Sequence, residues 1–102
     1  MKYIYLIQSL ENSYYKIGVS KHPNKRIKEL QTGNSSKLKL VESYQSEFAH
    51  LIEKTLQRKY VYLRKEGEWF DMSISNEVSF INECKEIEKN IIFLKENGNV
   101  FI

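Results

Sequence analysis

A single cysteine, a single proline, one tryptophan and four glycines stand among 102 residues, and the scarcity excludes several classes. Cys84 alone closes no internal disulfide and builds no cysteine zinc site, so it fits a reducing compartment and leaves any metal to oxygen or imidazole ligands. No repeat, linker or low-complexity stretch interrupts the chain, and Pro23 is the only proline, so residues 1–102 read as one domain. That length excludes a catalytic domain joined to a separate recognition domain. No apolar run is long enough to cross a bilayer. The run Tyr3-Ile4-Tyr5-Leu6-Ile7 behind Met1-Lys2 is too short and too β-branched for a signal peptide, which gives the expectation of a cytoplasmic protein with no membrane partner.

What is present is a globular balance: 41% hydrophobic and 28% charged residues, with a net charge of only +3. The distribution of that charge says more than its sum. Residues 1–41 carry eight Lys/Arg against Glu11 and Glu29, net +6, and residues 42–102 carry eight against eleven acids, net −3. Seven basic residues and one acid lie from Lys16 to Lys39, a density that suits a polyanion and also suits a solvated face.

Lys2–Gln8 and Tyr14–Ser20, separated by the polar Ser9-Leu10-Glu11-Asn12-Ser13, predict a β-hairpin. Pro23 at a first helical turn, Ile27 and Leu30 as an apolar stripe and Gly33-Asn34 as a stop predict a helix over Pro23–Thr32. Leu38, Leu40, Val41 and Tyr44 suggest a third strand; Phe48, Ile52, Thr55, Leu56, Tyr60 and Leu63 then recur at helical spacing over residues 47–64. Gly67-Glu68-Trp69-Phe70 breaks that helix as a loop or short strand on the core. A last helix over about 75–97, capped by Ser75 or Asn76, carries the stripe Phe80, Cys84, Ile87, Ile91, Leu94. The order β-β-α-β-α-α predicts an α+β domain with a small three-stranded antiparallel sheet flanked by helices.

Period-two alternation puts Tyr3, Tyr5 and Ile7 on one sheet face, and sets Lys16 beside the bare backbone of Gly18 on the neighbouring strand. A ligand could approach there, although a lysine at a sheet margin can equally snorkel to water. Arg26 lies four residues before Leu30, along the face that packs on the sheet. Glu53 sits at the border of an apolar helix stripe, where a carboxylate either reaches water or finds a cation. His50, three residues earlier, has a spacing usable for a shared metal, and a half-exposed histidine explains it as well.

These residues fall in a known order. Tyr3-Ile4-Tyr5-Leu6-Ile7, Tyr15-Lys16-Ile17-Gly18-Val19-Ser20, Arg26, Glu29-Leu30-Gln31-Thr32-Gly33-Asn34, Glu53 and Gly67-Glu68-Trp69-Phe70 resemble the GIY-YIG endonuclease superfamily. More narrowly they resemble its T5orf172 and Mug113 branch, common in phages and large viruses. These motifs span residues 3–70, with the last helix outside them. The resemblance implies divalent-metal-dependent hydrolysis of DNA phosphodiesters. It assigns Glu53 as the ligand of Mg2+ or Mn2+, Arg26 as the clamp on the scissile phosphate, and Tyr5 as the group that positions or deprotonates water.

A phenol is a weak acid, so a base role asks for neighbouring cations, and Lys16, which replaces the second-motif tyrosine, either steadies a phenolate or holds the water itself. Gly18 would keep the backbone clear for phosphate, and Lys21, Lys25 and Lys28 would bind the rest of the DNA backbone. Gln57 stands where relatives often have histidine. The competing expectation is an inactive nucleic-acid-binding or assembly module on the same fold, and RNA remains open as substrate. A homodimer through the last helix is a further expectation, and the compartment for a viral protein would be the host cytoplasm.

Overall fold

The computed structural model describes residues 1–98. Strands β1 (Lys2–Ser9) and β2 (Tyr15–Ser20) form the hairpin, and Ser9 N–H donates to the Tyr14 carbonyl at 2.9 Å across a turn in which Ser13 takes φ 61°. Helix α1 (Pro23–Thr32) starts at its proline, whose missing N–H costs nothing in a first turn, and ends before Gly33. Strand β3 (Leu38–Ser46) and helix α2 (Ala49–Lys59) follow. A 3-10 turn (Val61–Leu63), strand β4 (Trp69–Phe70) and helix α3 (Ile74–Glu96) complete the chain.

All four strands join one sheet in the order β3-β1-β2-β4, each pair antiparallel. The three-stranded sheet in the order β-β-α-β-α-α is therefore corrected to an α+β fold with four strands and three α-helices. The added strand is two residues long, Tyr15 pairing with Phe70 and Lys16 with Trp69, and a segment that short shows no alternation to read. Two smaller corrections concern helix ends. The phase of α2 continues through Leu63 only because the 3-10 turn keeps a similar spacing; the α-helix itself stops at Lys59. The cap of α3 is Ser73, in place of the expected Ser75 or Asn76: its hydroxyl accepts from Asn76 N–H at 3.1 Å while the Asn76 side chain accepts from Ser73 N–H at 2.9 Å.

Most of the core lies on one face of the sheet, where Ile4, Leu6, Tyr15 and Ile17 pack against Ile52, Leu56 and Tyr60 and against Phe80, Cys84 and Ile91 of α3. Burying each aliphatic side chain contributes ~1.5–3 kcal/mol. Three tyrosines fasten α3 down by donating to its glutamates: Tyr15 to Glu77 at 2.6 Å, Tyr44 to Glu88 at 2.6 Å, and Tyr60 to Glu83. The opposite face holds a small cluster of Tyr5, Ile7 and Leu38, with Ile27, Leu30, Leu40 and Trp69 packed on it, and no residue of α1 is fully buried. No helix among the described residues is long and apolar enough to cross a membrane.

Candidate active site

The register of β1 on β2 sets Tyr5 opposite Gly18 and Ile7 opposite Lys16, so Tyr5, Lys16 and Gly18 share the face that α1 covers. A Cβ on Gly18 would stand 2.3 Å from Tyr5 Oη and 2.4 Å from its Cζ. The space over the glycine thus belongs to the Tyr5 ring, which lies flat across the neighbouring strand. Tyr5 is only 3% exposed, its hydroxyl has no hydrogen-bond partner among the described residues, and no sealed-off polar atom lacks a partner there. The phenol oxygen is therefore not fully sealed off, although the side chain as a whole is buried.

Pairing of Lys16 with Trp69 puts the lysine beside β4. Its ammonium is ion-paired with Glu68 and stands 5.9 Å from the centre of the Trp69 ring. Glu68 is drawn below the usual carboxylate range, first by the hydrogen bond and charge of Lys16 and then by Arg64 and Arg26. Arg64 reaches this corner from the end of the 3-10 turn, donating from Nε to the Gly67 carbonyl at 2.9 Å. It lines a cavity of about 70 Å3 with Gln57, Glu68 and Phe70.

Arg26 is exposed on α1, near enough for its charge to lower Glu68, and its guanidinium has no ion-pair or hydrogen-bond partner among the described residues. Glu53 stands half-buried on α2 with its side chain 21% exposed. Burial pushes its carboxyl up, His50 pulls it down, Glu68 pushes up again, and Lys54 and Lys16 pull down. His50 Nδ1 lies 4.0 Å from Glu53, and its Nε2 lies 3.1 Å from Lys2 Nζ.

Lys16 and Glu68 are in contact, Arg64 and Arg26 draw the Glu68 carboxyl down, and Glu68 in turn raises Glu53, so these charges act on one another around the β2–β4 edge, with Tyr5 on the adjoining strand pair. Lys21, Lys25 and Lys28 do not join them. Lys21 and Lys25 border a cleft of about 670 Å3, with Tyr3, His22, Leu40 and Ser43 at the other end of α1, and Lys28 is exposed on α1. That cleft and the charged cluster are therefore different places. Size favours the first, but only the second combines an anion-binding guanidinium, a fixed ammonium and a half-buried carboxylate.

Compared with known families, the chain matches the T5orf172 domain over residues 2–92. The chain belongs to the T5orf172 family. Neither curated proteins nor solved structures returned a match. The T5orf172 domain is associated with GIY-YIG-like, nuclease-related families, and the matched span runs into α3, beyond the motifs that end at Phe70.

In this T5orf172 domain no three His, Cys, Asp or Glu among the described residues come together as a metal cage. Glu53, with Glu68 near enough to raise it, offers hard carboxylate oxygens, and Mg2+ or Mn2+ bound through one or two carboxylates and completed by water and substrate oxygens fits such a donor set. Sequence reasoning passed over two members of the cluster, Glu68 and Arg64. Glu68 was visible only as part of the Gly67-Glu68-Trp69-Phe70 motif, and Arg64 carried no signal at all. Gln57, in the position of the missing histidine, donates to the Ile17 carbonyl at 3.2 Å, so its amide ties α2 to the edge of β2.

Proposed function

We propose that this T5orf172 domain, of the GIY-YIG type and close to its Mug113-like branch, is a divalent-metal-dependent DNA endonuclease. The observation that supports this reading is the Lys16–Glu68 ion pair at the β2–β4 edge, whose carboxylate also feels Arg26 and raises Glu53, beside a buried phenol whose oxygen is not fully sealed off. Arg26, without a partner among the described residues, is free to make two charge-assisted hydrogen bonds to a phosphate and stays charged as negative charge builds on phosphorus. Tyr5 Oη takes a hydrogen bond or a proton from the attacking water, and the Lys16 ammonium favours the anionic form of whatever oxygen accepts that proton. Water adds to phosphorus, the bond to the leaving ribose oxygen breaks, and that oxygen ends protonated. Glu53 would hold Mg2+ or Mn2+, whose charge would neutralise the phosphate oxygens and the leaving oxyanion. Lys21, Lys25 and Lys28 would contact neighbouring phosphates along α1. Cutting both strands would need two sites, and pairing through α3, where Ile92 and Phe93 stand exposed, would supply the second.

One observation favours a second reading, a binding module without hydrolysis: the Gln57 amide is occupied by the β2 edge and can serve as neither general acid nor general base. Plasmid nicking by the purified protein separates the two. Nicking that requires Mg2+ or Mn2+ and vanishes in both Arg26→Ala and Glu53→Ala supports the enzyme. DNA binding with no nicking in any divalent metal supports the module, and preference for RNA would change the substrate.

A further inference from the structure

Glu68 is ion-paired with Lys16 and lines a small cavity with Arg64, yet the reaction outlined above gives it nothing to do. It rides on the turn between Lys65 and Trp69, where Lys65 N–H donates to the Trp69 carbonyl at 2.7 Å and Gly67 takes φ +66°, a left-handed conformation that favours glycine. Its side chain is 66% exposed, whereas Lys16 is 15% exposed, held by its strand and by the Trp69 ring. The two partners of this ion pair are therefore unequal: the lysine is fixed and the glutamate is loosely held. Arg64 anchors Nε on the Gly67 carbonyl and leaves its terminal guanidinium nitrogens without a partner among the described residues. Arg26 is equally unpartnered and sends its charge to the same carboxylate.

We propose that Lys16, Arg26 and Arg64 form a binding site for one phosphodiester group and that the Glu68 carboxylate is its resident stand-in, displaced when a nucleic acid strand enters. The proposal rests on the functional reading only in taking a phosphodiester as the ligand. Carboxylate and phosphodiester carry the same single negative charge and accept through oxygen. Both present two oxygens to a guanidinium fork, but the Glu68 carboxylate is tethered to its turn and among the described residues hydrogen-bonds only to Lys16, whereas a phosphate on an incoming strand is free to settle where both unpartnered arginines reach it. An exposed ion pair is weak and exchanges readily, which lets Glu68 keep Lys16 aligned between encounters without blocking the site. Glu68 thereby also screens three clustered cations from each other when no strand is bound.

The test is the affinity of a labelled DNA oligonucleotide, read by fluorescence anisotropy in moderate salt and without divalent metal. Glu68→Gln keeps the shape and removes the competing charge, so it should bind about fivefold more tightly than the unaltered protein. Arg64→Met should bind more weakly, and in its background the gain from Glu68→Gln should shrink. Equal or weaker binding by Glu68→Gln would overturn the proposal. Should that variant fold poorly, the unaltered protein answers the question by NMR. With saturating oligonucleotide the Glu68 carboxyl should titrate at higher pH than in the free protein, because its lysine has changed partner; an unmoved titration overturns the proposal. Nicking enters neither measurement. Tighter binding by a protein that never cuts would remove the nuclease and leave the displaced glutamate, and a cutting protein whose Glu68→Gln binds no tighter would do the reverse.

Discussion

The two faces of the sheet are built differently. On the face under α2 and α3 twelve buried residues interlock from three parts of the chain, and each tyrosine hydroxyl at its rim finds a glutamate of α3. On the face under α1 only Tyr5, Ile7 and Leu38 are buried, and the helix above them buries none of its residues fully. The cations and the Tyr5 phenol stand on this second face and along its edge with β4. A densely packed face can hold a strand pair still while the thinly packed one keeps unpaired charges open to a ligand. The division of labour implies that stability and function can be damaged separately.

The largest effect belongs to the packed face: Ile52→Ala or Leu56→Ala should cost ~2–5 kcal/mol, measured by urea unfolding, whereas Leu30→Ala under α1 should cost clearly less. Equal costs would erase the contrast between the faces. Gly18→Ala comes next. Its methyl group would overlap the Tyr5 ring, and overpacking of this kind costs ~1–3 kcal/mol. Because the ring must move, nicking should fall further than the loss of folded protein explains. Normal activity with unchanged stability would show that the ring has room.

The tyrosines that dock α3 give a smaller, pH-dependent effect. Burial and the Glu77 hydrogen bond raise Tyr15 to about 12, and the hydrogen bond to Glu88 with burial raises Tyr44 to about 12; burial and Glu83 push Tyr60 up as well. The unfolded chain releases these protons first, near ~10, so this stabilisation is complete below that pH and is lost as pH climbs toward the folded values. Urea midpoints should fall over that interval, and Tyr15→Phe or Tyr60→Phe should flatten the fall. Burial alone would raise Glu83, but the hydrogen bonds from Lys59, Tyr60 and Ser79 bring it below its usual range. Its contribution is therefore present above the ordinary glutamate range and disappears as pH drops through the lowered value.

How far this arrangement could be read beforehand follows from the range of the interactions. Helix α1 is set by local signals, Pro23 at its start and Gly33 behind it, and its bounds agree with the sequence reading. The hairpin and the two faces of β1 follow from alternation. Strand β4 does not, because two residues have no period and its partner in β2 lies more than fifty positions earlier. Missing that pairing also hid Glu68, which reaches Lys16 only because Trp69 sits opposite it. Arg26 and Glu53 were identified from their order along the chain, while the charge effects that link each of them to Glu68 depend on where α1 and α2 pack against the sheet, which spacing alone does not encode.

The smallest expected effect is the most telling for the division between the faces. Glu53 is raised by burial, so its charged form is penalised in the fold: stability is greater below the ordinary glutamate range and declines as pH rises through the raised value. At neutral pH Glu53→Gln should therefore stabilise the protein slightly, on the order of 0.5 kcal/mol. The decisive measurement takes plasmid nicking and urea unfolding together on Glu53→Gln and Arg26→Ala. Nicking lost in both, with stability unchanged or slightly raised, is the result expected of a site built apart from the core. Undiminished nicking in either variant, or a loss of nicking that tracks a loss of folded protein, would contradict it.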